Sequence, residues 1–283
     1  MEYKKIFFPI GGGNELVERI QGALTIAKYF KCHLEILQAQ AKPSKIFKKM
    51  DEVIPANMLG EINAIAETRL NEEHQKYRNL VKKEATKLDI KISNIALNGI
   101  PTAELIVGEG YRSEIIEQES KYCDLVLTAS PHNGKITATF EAVVVKSGKP
   151  VLMFPREMKS FSTQNILIGW NNSPEASKAL SLSIPLLKKA KKVHLIYSKE
   201  YVENESEIKK IQSYLRVHGI EITYEEIQTT KIAGQALLNN AIQGNYDLIV
   251  AGAFGHRGLK ELMLGGTTKY ILEHTDIPVF MAH

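Results

Sequence analysis

Two short stretches near the C-terminus carry residue types and spacing suited to chemistry. Asp247-Leu-Ile-Val-Ala-Gly-Ala-Phe-Gly-His-Arg-Gly258 is an apolar run opening into glycines, and Leu264-Gly-Gly-Thr-Thr268 follows it. Gly252 and Gly255 can take positive φ and let backbone come close to a ligand. Separated from Gly255 by nine residues, Gly265, Gly266, Thr267 and Thr268 open a helix that runs toward His274. The free amides and positive dipole end of such a helix favour phosphate. The Thr267 and Thr268 hydroxyls can donate to phosphate oxygens, and His256 and Arg257 add charge in the same loop. The alternative is that the glycines serve only turns and a helix cap. Two spaced glycine sites ahead of two threonines favour the ligand. No lysine or magnesium-binding pair stands in P-loop spacing.

The elements that must hold this loop are written twice. Lys5-Ile-Phe-Phe-Pro-Ile10 matches Asn165-Ile-Leu-Ile-Gly-Trp170, and Tyr122–Ser130 matches Tyr246–Ala253. Gly148-Lys-Pro-Val-Leu-Met153 matches Asp276-Ile-Pro-Val-Phe-Met281. Each half begins with an apolar strand and ends with a Pro-Val strand. The polar stretch Pro155–Gln164 divides the chain into domains 1–158 and 159–283. Strands alternate with helical periodicity, which predicts a mainly parallel, doubly wound α/β sheet of five strands in each domain.

In the first half, Leu16, Ile20, Leu24 and Ala27 mark a helix and His33–Leu37 a strand. Asn57–Leu88 reads as one or two helices, Ile90–Leu97 as a strand, Ala103–Lys121 as mostly helix and Asp124–Ala129 as a strand. In the second, Ser173 caps a helix with Pro174 at its first position, and Pro185 should kink or restart it. Val193–Ser198 and Ile220–Ile227 read as strands. Ile208, Ile211 and Leu215 mark a helix ended by Gly219, and Ala233–Gln243 a helix closed by Gly244. Asp247–Ala251 and Ile277–Met281 complete the set.

A length of 283 residues suits two domains, and 24% charged residues with 44% hydrophobic ones suit a packed soluble core. A formal charge of +4 favours anions weakly, and no basic stripe interleaved with aromatics argues for nucleic acid. No apolar run reaches membrane-spanning length. Met1-Glu-Tyr-Lys-Lys leads straight into a strand, without a secretory signal, so a cytoplasmic location is expected. Cys32 and Cys123 sit in or beside apolar runs without metal spacing, as reduced buried thiols do.

Gly252-x-x-Gly255, nine residues and Gly265-Gly266-Thr267-Thr268 resemble the ATP-binding signature of the universal stress protein family, and the likeness covers the chain as two tandem copies. The resemblance implies the adenine nucleotide alpha-hydrolase-like α/β fold in each domain. It also implies a stress-response regulatory role with an adenine nucleotide, ATP or AMP, bound in the second domain, with magnesium a conceivable companion and no assigned metal ligand. Residue by residue, Asn171 stands where the family offers an aspartate to the adenosine, and Ser198 where the adenine pocket is lined. Ala251 and Gly252 match backbone contacts, while Gly255, Gly265, Gly266, Thr267 and Thr268 match phosphate contacts. Gly266 replaces the usual serine or threonine.

The first half lacks the signature. It reads Ala129-Ser-Pro-His-Asn-Gly-Lys-Ile-Thr-Ala-Thr-Phe-Glu141, with Phe140-Glu141 near the phosphate position, and Gly11 stands at the aspartate position. It is expected not to bind nucleotide in this way. No residue is assigned a catalytic role. A slow ATPase or nucleotide hydrolase and a nucleotide-free interaction module are the alternatives. The two Pro-Val edge strands are expected to pack the domains as an intramolecular pseudo-dimer, and a further homodimer stays open.

Overall fold

A computed structural model describes residues 2–11, 13, 15–40, 56–228, 233–253 and 267–283. The first half runs β1 (Lys5–Ile10), α1 (Leu16–Phe30), β2 (His33–Gln40), α2 (Ala56–Lys87), β3 (Lys91–Ile92), β4 (Thr102–Glu109), α3 (Arg112–Glu119), β5 (Leu125–Ala129), α4 (Ala138–Glu141) and β6 (Val151–Phe154). The second runs β7 (Asn165–Trp170), α5 (Pro174–Leu187), β8 (Lys192–Tyr197), α6 (Glu205–Val217), β9 (Thr223–Glu226), α7 (Ala233–Gln243), β10 (Leu248–Gly252), α8 (Thr267–His274) and β11 (Val279–Ala282).

All the strands join one sheet, in the order β3-β4-β2-β1-β5-β6-β11-β10-β7-β8-β9. Apart from the two-residue β3, each half has the same internal order. Every pairing is parallel except β6 with β11, where Leu152 faces Phe280 and Val151 faces Met281 in antiparallel register. The five-stranded sheets expected of the two halves are thus joined edge to edge at the Pro-Val strands. The Pro-Val strands are the edges of their own halves, and hydrogen bonding between them satisfies both. One core packs Ile20 and Leu24 of α1, Val81 of α2, Leu180 of α5 and Ile208 of α6 on one face of the sheet. A second packs Ile116 of α3, Phe140 of α4, Leu238 of α7 and Leu272 of α8 on the other.

Several local expectations change. Thr102–Glu109 is a strand, and helix is confined to Arg112–Glu119. Ala103, Glu104 and Leu105 favour helix, but eight consecutive residues pair in register with His33–Gln40, and that ladder overrides local propensity. β4 thus takes the place beside β2, and the expected Ile90–Leu97 strand shrinks to Lys91-Ile92 on the outer edge. The expected Asn57–Leu88 segment forms one helix, Ala56–Lys87, whose last turns bury Tyr77, Val81 and Ala85. α5 begins as expected, with Ser173 Oγ accepting from Ala176 N at 3.1 Å. It runs through Pro185 without restarting, because Pro185 lies in the last turn and removes one bond only. Gly219, at φ +75°, ends α6 while Ile220 N reaches Leu215 O at 3.0 Å. At the end of α7 the left-handed residue is Asn245, φ 51°, one position beyond Gly244.

His33 is 4% exposed, and its Nδ1 lies 2.8 Å from Thr102 Oγ1. Burial holds its pKa below the usual 6.5, with Glu35 opposing the shift and Lys5 adding to it. The unfolded chain therefore binds a proton that the folded chain resists. Stability is expected to fall as pH drops through about 6.5 toward the lower folded value. Urea midpoints at several pH values check this, and His33→Gln should flatten the slope. His74 and His194 shift in the same direction, so part of the slope should remain.

Candidate functional site

In the second half, β7 has β8 on one side and β10 on the other, so the strand order reverses at its carboxyl end. Ligands of open parallel sheets bind at such reversals. A slot of about 80 Å³ lies there, lined by Gly169, Asn171, Ile196, Ser198, Leu237 and Ala251 among others.

Two glycines shape it for different reasons. A Cβ on Gly169 would lie 3.0 and 3.1 Å from the Leu237 methyls, so its absence keeps the floor of the slot open. A Cβ on Gly252 would lie 2.6 Å from Ala176 N and 2.8 Å from Glu175 C. Gly252 thus allows the first turn of α5 to close onto β10, a backbone contact that only glycine permits.

Asn171 Oδ1 accepts from Ser173 N at 3.3 Å and from Ser173 Oγ at 2.8 Å, which fixes the turn into α5. Its Nδ2 is left to donate. Ser198 Oγ accepts from Glu200 N at 3.1 Å, and Ser198 O from Tyr201 N and Val202 N at 3.1 and 3.0 Å. Ser198 therefore shapes the loop that brings Tyr201 to the slot.

Of the residues singled out from the sequence, Asn171, Ser198, Ala251 and Gly252 converge on this slot. Gly255, His256, Arg257, Gly265 and Gly266 lie outside the described residues. Thr267 and Thr268 begin α8, as backbone. Sequence reasoning missed Gly169, Ile196 and Leu237. The signal was present in Gly169, a residue without a side chain inside an otherwise bulky apolar strand.

The first half has no such base slot among its described residues. Pro9 pairs with Leu37 as Gly169 pairs with Ile196, so a proline ring stands where β7 is bare. Far from the slot, one His/Glu/Glu group, His33, Glu35 and Glu104, has donor atoms within 4.8 Å of one another. His33 there meets Thr102, and Glu35 is paired with Lys5 Nζ at 2.5 Å. No helix among the described residues is long and apolar enough to cross a membrane.

Residues 162–283 match the model of the universal stress protein family. Universal stress protein Slr1230 of Synechocystis is 21% identical over 231 residues, covering 78% of this chain and 79% of that one. A universal stress protein from Archaeoglobus fulgidus superposes with a TM-score of 0.67 at 18% identity, over 99% of this chain and 96% of that one. A functionally unknown protein, PA1789 of Pseudomonas aeruginosa, gives 0.52 at 15% identity, over 98% and 92%. The fold thus recurs in solved structures along nearly the whole length. Over residues 162–283, then, the chain is similar to the universal stress protein family.

Proposed function

We propose that the second half, residues 159–283, binds an adenine nucleotide, ATP or AMP, and that the chain acts as a stress-response regulator rather than through a dedicated catalytic centre. The observation that carries this reading is the slot held open by Gly169 under Leu237, at the strand reversal and beside the Gly252 turn. Its walls, Ile196, Ile227, Ala233 and Leu237, suit the faces of a flat aromatic base. Asn171 Nδ2 remains to donate to a ribose or base acceptor, because Oδ1 is committed to Ser173. The phosphates would be taken by Gly255, Gly265, Gly266, Thr267 and Thr268, as the motif suggests. His256 and Arg257 would add charge to the same loop. Bound there, the nucleotide supplies a ligand-dependent state that a partner can read. Residues 1–158 would serve as a second unit joined through β6 and β11.

Mass spectrometry of small molecules released on denaturing the purified protein tests the reading, together with calorimetric titration of ATP and AMP with and without magnesium. A co-purifying adenine nucleotide, or saturable binding, is the expected result. Absence of both at millimolar ligand, with the circular dichroism of a folded protein, would overturn it.

A further inference from the structure

The first half has its own strand reversal, and a cleft of about 380 Å³ opens there. It lies beyond β1 and β5, against the first turns of α1 and α3. Among the described residues, its ionisable lining is Arg19, Arg112, Lys135, Arg156, His132 and Glu15: four fixed cations against one carboxylate. Glu141, whose position suggested repulsion of phosphate, is not part of this lining.

Three guanidinium groups are held in place around the cleft. Arg19, 8% exposed, donates from Nε to Glu15 O at 3.2 Å and from Nη2 to Gly11 O at 3.1 Å. Arg156 forks onto Glu15 Oε2 at 2.9 and 2.8 Å and donates to Ser130 O at 3.1 Å. Arg112 lies over Gly11, where a Cβ would be 2.9 Å from its Nη1. Its Nε is buried without a hydrogen-bond partner, and no described carboxylate pairs with it. Among the described residues that line the cleft, Glu15 is the carboxylate beside these three guanidinium groups. Burial holds Arg19 below its usual pKa, and the Arg156 and Arg112 charges push the same way, with Glu15 opposing.

The fold does not require a charge at this place. Asn165 begins β7 as Lys5 begins β1, and in that register the buried Ile20, Ala23, Ile26 and Ala27 of α1 correspond to Leu180, Ser183, Leu186 and Leu187 of α5. Arg19 then corresponds to Ala179, fully buried in the second half. The charge at this place therefore belongs to the first half and is not a requirement of the shared fold.

We propose that this cleft binds a compact anion carrying two or more negative charges, of the phosphorylated or polycarboxylate class, clamped by Arg19, Arg112 and Arg156. Guanidinium forks match phosphate and carboxylate oxygens two at a time, and the buried Arg112 Nε is a donor awaiting such an acceptor. Pro9 removes the base slot present in the other half, so the ligand is small and needs no nucleobase. Phe8 and Phe140 line the same cleft and lower its exposure to water, which strengthens each charged contact. This site does not depend on the adenine reading of the second half.

Calorimetric titration of the full chain with inorganic pyrophosphate and with citrate tests the proposal. Saturable binding of at least one is expected, with affinity reduced roughly tenfold to a hundredfold in Arg112→Gln. Gly11→Val leaves every charge in place but takes the space under Arg112, and it should weaken binding in the same direction. Circular dichroism confirms that both variants fold. Citrate binding alone would make the natural ligand a polycarboxylate; pyrophosphate binding alone would make it a phosphorylated compound. The proposal is overturned if neither anion binds at millimolar concentration. It is equally overturned if Arg112→Gln and Gly11→Val bind as the unaltered chain does, since the anion would then sit elsewhere.

Discussion

Gly169→Leu is expected to weaken AMP and ATP binding by on the order of 100-fold, about 2.8 kcal/mol, while leaving the fold intact. The side chain would enter the slot against the Leu237 methyls, which already lie 3.0 and 3.1 Å from the missing Cβ. Gly169 has no positive φ, so leucine can adopt its backbone. The strand gains a residue of better β propensity, and Leu237 can rotate toward the open side, so the overpacking cost of about 1–3 kcal/mol should fall at its low end. Gly252→Ala should behave in the opposite way. Its Cβ would meet backbone atoms of Glu175 and Ala176 that cannot swing aside, so stability should fall first and binding with it. Paired melting and titration of the two variants separates the slot from the scaffold. Equal loss of stability in both would show that Gly169 serves packing rather than the ligand.

The second large effect is expected at the end of β6, where that strand packs on α1. Phe154 is fully buried at the end of β6, with its ring 5.6 Å from that of Phe8 and filling the space above Gly22 of α1. Phe154→Ala should cost about 3–5 kcal/mol, from lost burial and the cavity left behind. Urea denaturation should show a lower midpoint with an unchanged slope. Gly22→Ala alone should also destabilise, because its Cβ would sit 2.6 Å from Phe154 Cε2. In the Phe154→Ala background that clash disappears, and only the helical advantage of alanine over glycine remains, about 0.5–1 kcal/mol. The sign of the Gly22→Ala effect should therefore reverse between the two backgrounds. Simple additivity would refute this account of the contact.

Much of the frame was legible because local periodicity reports burial. The apolar run Lys5–Ile10, the spacing of Leu16, Ile20, Leu24 and Ala27, and the Ser173-Pro174 helix start each encode their element within a few residues. Thr102–Glu109 failed by the same logic. Its helix-favouring residues say nothing about a ladder with His33–Gln40, some seventy residues earlier in the chain. The Gly-rich motif located one end of the second-half slot, but its floor comes from Gly169 and Leu237, on a strand and a helix far apart in sequence. Arg19 was passed over because it lies between Leu16 and Ile20 like any surface residue of an amphipathic helix. The cleft that it lines is completed by Arg112 and Arg156, brought in from other elements.

By itself, then, the sequence determined an alternating α/β chain written twice and a single retained glycine-and-threonine motif, since both reside in residues close together along the backbone. Only the tertiary structure decided that the two halves share one sheet through β6 and β11, that β4 rather than β3 stands beside β2, and that three arginines meet over Gly11. Each of these depends on which strand hydrogen-bonds to which. That choice is settled by the burial of whole faces and the pairing of open edges, neither of which any short stretch of sequence contains.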